Sequence, residues 1–264
     1  MRKARILSAA AVAIVLRSAS AQADTLAYGV TGNDLFGVLD LNTGVFTERA
    51  DMGQRLSGLG VAGGVLYGSG YPYNSPNLYS VNPTNGTLTL VSNSFLPGYY
   101  DLGSTTTGLF AEGNNDGNLY SINSNTGAAT LIGPTLLGNF MSTGSDTLYE
   151  TGLNYLSSIN TTTGAATLVG FPNVGYIDVV AEGGTIYAVS EDLKIYTLNN
   201  SNDAATFLSN VSGTSSFFWG LAPDSPPAAT PLPAALPLFA TGLGVMGLIG
   251  WRRMRKNTTA FAVA

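Results

Sequence analysis

Apolar and polar residues along this chain alternate in short bursts, not in helical stripes. The clearest burst, residues 118–133, reads NLYSINSNTGAATLIG. Its pattern predicts a strand, a tight turn at Asn125-Thr126-Gly127 and a second strand. Close copies lie at 77–92 (NLYSVNPTNGTLTLVS) and 155–170 (YLSSINTTTGAATLVG), with looser ones at 34–51 and 194–210. The turn positions are Gly44, Gly86, Gly127, Gly164 and Asp203, separated by 42, 41, 37 and 39 residues. A period near 40 residues belongs to propellers and repeat arrays.

From Thr25 onward the pattern divides into units of four strands. Inner strands are expected at 57–60, 100–103, 141–144 and 177–180. Second strands follow at 66–68, 109–111, 148–150 and 186–188, each carrying a Leu-Tyr-like pair. The strands of the repeated phrase complete each unit. Residues 25–51 supply only three strands, at 26–30, 35–40 and 45–51. Residues 218–222 (FWGLA) match the inner-strand pattern with nothing after them. The two fragments complement each other and would close a ring. The expectation is an all-β, five-bladed propeller of four-stranded blades over residues 24–224. Single blades cannot bury both faces, and stacking them in a ring can.

The ends of the chain read differently. Residues 1–23 have a basic start, an apolar run at 6–16 and Ala21-Gln22-Ala23, the pattern of a cleaved export signal; an uncleaved membrane anchor is the alternative. Residues 225–231 form a Pro/Ala-rich linker. Residues 232–251 (LPAALPLFATGLGVMGLIGW) carry no charge and, as a helix, would reach about 30 Å, enough to cross a bilayer. Residues 252–264 begin with Arg252, Arg253, Arg255 and Lys256, a cytoplasmic stop.

Composition narrows the chemistry. There is no Cys and no His, so thiol nucleophiles, Cys-type zinc sites and Ser-His-Asp triads are excluded. Eight of the 11 basic residues lie in the two ends, leaving Arg49, Arg55 and Lys194 in the central domain against all 16 acidic residues. That domain carries a net charge near −13 and would repel a phosphate backbone, so no nucleic-acid partner is expected. No cofactor is expected either. Gly242, Gly244 and Gly247 have dinucleotide-fingerprint spacing but sit inside the apolar helix, where small residues serve close packing.

Three groups are candidates for a site. Asp101 and Asp178 take equivalent inner-strand positions, so both carboxylates could converge in a central channel, as glycoside hydrolysis requires. A position repeated by blade also suits a carboxylate that hydrogen-bonds neighbouring backbone or coordinates a channel water or cation. Glu112 and Asp116, with Asn114 and Asn115 between them, form an oxygen-rich loop that could hold calcium or simply be a solvated turn. Tyr71, Tyr73, Tyr99 and Tyr100 lie near loops and could stack on sugar rings or pack between blades.

The tail resembles the PEP-CTERM class of bacterial sorting signals, in its Val-Pro-Leu-Pro-Ala variant. Here the motif is Thr230, Pro231, Leu232, Pro233 and Ala234, with Thr in the usual Val position; the Gly-rich helix and Trp251-Arg252-Arg253 also match. The central repeats are similar to domains often joined to such tails. The resemblance implies export across the inner membrane, an exosortase-like membrane protease as partner and a link to exopolysaccharide. The resulting expectation is a non-enzymatic surface or matrix protein that binds a glycan or protein partner. A hydrolase acting on glycans through channel carboxylates, and a purely structural envelope protein, are the alternatives.

Overall fold

A computed structural model describes residues 25–71, 77–93, 100–113, 116–135, 140–141, 143–145, 147–152, 155–170, 174–202 and 204–224. The export segment, linker, apolar helix and basic end lie outside the described residues. Among the described residues no helix is long and apolar enough to cross a membrane.

The strands run as follows: β1 (Leu26–Thr31), β2 (Leu35–Asp40), β3 (Phe46–Asp51), β4 (Leu56–Ala62), β5 (Val65–Gly70), β6 (Leu78–Val81), β7 (Leu88–Ser92), β8 (Tyr100–Thr105), β9 (Gly108–Gly113), β10 (Asn118–Ile122), β11 (Ala129–Pro134), β12 (Phe140–Met141), β13 (Thr143–Ser145), β14 (Leu148–Gly152), β15 (Tyr155–Ile159), β16 (Ala166–Gly170), β17 (Tyr176–Glu182), β18 (Thr185–Ser190), β19 (Lys194–Leu198), β20 (Ala205–Asn210) and β21 (Phe218–Pro223). They form a five-bladed propeller. Blade one has the order β21-β1-β2-β3 and blade two the order β4-β5-β6-β7. Blades three, four and five are β8 to β11, β12-β14-β15-β16 and β17 to β20.

The ring closes as expected. The last strand pairs with the first, Tyr28 opposite Ala222 and Gly29 opposite Leu221. Both ends of the ring therefore sit in one blade, and closure needs nothing outside residues 25–224. No single core holds it together; each of the five seams has its own apolar cluster. Phe36 and Ala222 meet Leu56 and Leu59 between blades one and two. Leu78 meets Leu102 and Leu109 at the next seam, then Phe110 and Leu119 meet Leu148 and Ile159. Tyr149 and Leu156 meet Ile186, and Val189 and Ile195 meet Leu39 and Phe218.

The turns explain the repeated phrase. Gly44, Gly86, Gly127 and Gly164 all have positive φ, between 68° and 78°, where a side chain is strained. In each turn the amide of Gly donates to the carbonyl four residues back: Gly127 to Asn123 at 2.7 Å, Gly164 to Asn160 at 2.8 Å. The Asx side chain at that first position caps the turn. Asn123 Oδ1 accepts from the amides of Asn125 and Thr126 at 3.0 and 3.2 Å. Asp40, Asn82, Asn160 and Asn199 do the same in their blades. Asp203, the expected fifth turn position, lies outside the described residues.

Two expectations need correction. Residues 141–144 do not make one inner strand: Phe140–Met141 pairs with β14, whereas Thr143–Ser145 pairs in parallel with β8 and β17. The chain of blade four leaves its own sheet and hydrogen-bonds across the axis, joining blades three and five into one continuous ladder. This satisfies backbone groups that a wide channel would leave to water. The third strand of blade one starts at Phe46, because Val45 is drawn into a parallel bridge with Ser212.

Candidate binding face

The ring has two faces. One carries the Asx-Gly turns and the short β4–β5, β8–β9 and β17–β18 connections. Both ends of the described chain leave from it, where the Asp224 amide donates to Leu26 O at 3.0 Å. The other face carries the connections from each blade to the next.

On that second face, over blades one and two, three aromatic rings form a row. Tyr71 follows β5 directly, and its amide donates to Arg55 O at 2.9 Å. Its ring centroid is 5.9 Å from that of Trp219, at the start of β21, and Trp219 is 5.6 Å from Phe217. Phe217 is 41% exposed. Arg55 lies over the Tyr71 ring, Cζ 5.2 Å from its centroid, and its Nε pairs with Asp34 Oδ1 at 3.0 Å. Gln54 Nε2 donates to Tyr71 O at 2.5 Å. Gly32 makes room for the indole: a Cβ there would lie 2.9 Å from Trp219 Nε1. That Nε1 is buried and has no hydrogen-bond partner among the described residues. Flat rings beside a guanidinium and a carboxylate offer stacking, cation–π attraction and hydrogen bonds together.

Of the four tyrosines expected near loops, Tyr71 takes part in this row. Tyr73 and Tyr99 lie outside the described residues, as does the side chain of Tyr100, whose backbone begins β8. Phe217, Trp219, Arg55 and Asp34 were not singled out in the sequence. The FFWG stretch at 217–220 signals them in retrospect, because an inner strand needs one apolar face and this one carries bulk on both.

The two aspartates both bond to backbone amides, Asp178 buried and Asp101 half-buried. Asp178 is 1% exposed, and its carboxylate accepts from the amide of Val179 at 2.8 Å and from that of Leu221. Burial pushes its carboxyl well above the usual range, and those two amides oppose the shift. Asp101 accepts from the Leu102 amide at 2.8 Å and lies against Gly58, where a Cβ would overlap its Oδ1. Gly220 in turn leaves a Cβ only 2.7 Å from Leu59 N. Glycines at these inner positions let neighbouring strands close the centre, and each aspartate caps backbone amides there.

Glu112 and Asp116 are also set apart. Glu112 is buried in β9 and accepts from Thr135 Oγ1 at 2.5 Å. Asp116 is exposed, accepts from Tyr120 Oη at 2.6 Å, and these bonds hold its carboxyl below the usual range against a burial effect that raises it. Asn114 and Asn115 lie outside the described residues. Among the described residues no three acidic side chains come together to hold a metal. On the turn face, a cleft of about 340 Å³ between blades two and three is lined by uncharged groups, among them Thr105, Thr107 and Asn123.

No protein family and no curated protein sequence matches the chain. Among solved structures it is similar to a chain in the crystal structure of a nidogen–laminin complex, at 10% identity and a TM-score of 0.54, over 76% of this chain and 98% of that one. The likeness is one of fold. A second similar structure, YCF48 bound to a D1 peptide, gives 13% identity and a TM-score of 0.41 over 70% of this chain and 64% of that one.

Proposed function

We propose that this chain is an exported surface or matrix protein, membrane-tethered or released by an exosortase-like protease, whose propeller binds a glycan or protein partner without chemical turnover. The observation that carries the reading is the row of half-buried Tyr71 and Trp219 and exposed Phe217 beside Arg55, on the face opposite the one the chain ends leave. A tail that anchors or sorts the protein would leave that face turned outward. The similar chain from a nidogen–laminin complex supports a partner-binding role for such a ring. The placement of Asp101 and Asp178 supports a role without hydrolysis, since both carboxylates serve backbone amides.

The test uses the closed ring, residues 24–224, on arrays of bacterial glycans and against envelope proteins of the native host. Phe217→Ser and Arg55→Ala should each weaken binding about tenfold or more, the usual loss for an exposed aromatic or arginine anchor. Binding that both variants retain would place recognition elsewhere. Cleavage of any polysaccharide, lost in Asp101→Asn or Asp178→Asn, would replace the binding reading with the hydrolase one.

A further inference from the structure

One ion pair sits beside the aromatic row. Arg55 Nε donates to Asp34 Oδ1 at 3.0 Å, and the two side chains are 34% and 32% exposed. Among the described residues nothing else bonds the Nη groups of Arg55 or Oδ2 of Asp34. The pair is held by its turn. Asp34 has a φ of +66°, a left-handed conformation that is uncommon outside Gly. Its amide donates to Thr31 O at 3.1 Å, and its carbonyl accepts from the Met52 amide at 3.0 Å. Those two bonds fix the residue and so hold its carboxylate against Arg55. A conformation of this kind persists where the surroundings over-determine it, and such places cluster at binding sites.

Charge limits what this face can take. Lys194 stands at the β18–β19 turn, the blade-five equivalent of the β1–β2 turn that holds Asp34, and it pairs with Asp192. Arg49, the third cation of the central domain, donates to Pro83 O in a turn of the other face. Both cations on the face of the row are therefore neutralised, and the acidic domain repels an anion at a distance. What remains beside the rings is a donor and an acceptor side by side: guanidinium N–H groups and a carboxylate oxygen. Neighbouring hydroxyls of a sugar both donate and accept, and they match that edge. A peptide asks for a free strand edge or an apolar groove. Tyr71 continues β5, which is paired on both sides, and the free edges of blade one are β21 and β3. β21 is closed off by β4, where a Cβ on Gly220 would lie 2.7 Å from Leu59 N, and two strands separate β3 from β21.

We propose, resting on the binding face described above, that the row takes an uncharged glycan and that the Arg55–Asp34 pair selects it. One sugar ring lies with its C–H face on exposed Phe217 and the edge of Trp219, while two adjacent hydroxyls bridge the Nη groups of Arg55 and Oδ2 of Asp34. Asp34 cancels the charge of Arg55 and leaves its remaining N–H groups free to donate. An acidic sugar gains no ion pair from such an arginine and meets the Asp34 carboxylate as a like charge. Taking that carboxylate away leaves a lone guanidinium beside the same rings, so the site should then turn toward acidic sugars.

Trp219 is the only Trp in residues 24–224, so the emission of the closed ring reports this site. The probes are hexaoses of glucose, mannose, galactose and N-acetylglucosamine, with the uronate oligomers of the first three beside them. The same ranking is read on arrays with the full chain, in a detergent without a sugar head group. A neutral hexaose should shift the Trp219 emission, bind about tenfold or more tighter than its uronate and ignore added salt. Phe217→Ser should lose both. Asp34→Asn keeps a residue that tolerates positive φ, and melting temperatures check its fold. It should weaken the neutral sugar about tenfold and reverse the preference, with uronate binding now salt-sensitive. A merely structural Asp34 would lower both alike. A wild type that prefers uronates, or an Asp34→Asn variant that keeps the neutral preference, overturns the proposal and leaves the binding face standing. Silence from every hexaose overturns it too, and an envelope protein whose binding Phe217→Ser abolishes would then keep the face with a protein partner. Glycan or protein binding that Phe217→Ser leaves intact overturns the face and this proposal with it.

Discussion

Gly127 has two jobs, and only one of them concerns its own turn. Its φ of +69° suits the five-residue Asx-Gly connection, and a Cβ on it would overlap Ser92 of the preceding blade. Gly86 meets Ala50, Gly164 meets Gly133, and Gly44 meets Asn210 across the closing seam in the same way. Each turn glycine is thus a contact between blades as well as a bend. Gly183 separates the two effects, since its φ is +57° and nothing lies within 4 Å of an added Cβ. Gly183→Ala should cost roughly 1 kcal/mol, the penalty for a left-handed residue. Gly127→Ala should cost about 2–3 kcal/mol, because the backbone penalty is joined by overpacking at the seam. Denaturant melts of the two variants check the difference; equal losses would mean the glycine serves the turn alone.

At the scale of strands, much of the fold was legible because the same physics recurs five times. A Leu-Tyr pair, an Asx, a glycine and a short apolar strand specify a hairpin whose register is fixed by its turn. The split inner strand of blade four was not legible. Its two halves bond to different sheets, a choice made by long-range pairing that local pattern does not encode. The outer strands show a further regularity hidden from the one-dimensional pattern. Each carries a β-bulge at the equivalent place, as between Leu119 and Tyr120 against β11. Leu90, Leu131, Leu168 and Phe207 are exposed beside these bulges. Edges this apolar invite pairing with other chains, and a bulge twists the edge out of reach. The candidate site was half legible. Tyr71 was recognisable as an aromatic near a loop, and Arg55 meets it through the β4–β5 hairpin, but Trp219 comes from β21, which only ring closure brings beside them.

At the scale of the whole molecule, the role proposed for the tail would decide where the ring is displayed. A plain anchor and a sorting helix share the same hydropathy, and the Pro-Leu-Pro-Ala phrase at 231–234 favours processing. The expected mature product starts near Asp24, ends near residues 231–234 and lies outside the inner membrane of the native host. In a host without the sorting protease the uncut chain should fractionate with membranes. Intact-mass measurement in both hosts tests this, and an uncut tail in the native host would leave only the anchor.

The pairing of the last strand with the first also fixes how the ring bears load. Any pull transmitted through the linker enters at Asp224, directly at one end of β21, and that end is hydrogen-bonded to the beginning of β1. Force applied there strips the ladder one rung at a time, from Ala27 and Pro223 toward Thr31 and Phe218, instead of straining all rungs together. Peeling asks for less force than shearing the same number of bonds. On the surface role proposed above, this attachment would act as a mechanical fuse: under drag, blade one should open before the other four. Optical-trap pulling between residue 231 and a handle on the turn face of blade three should show that early step as a short first extension, and an all-at-once rupture would rule the fuse out.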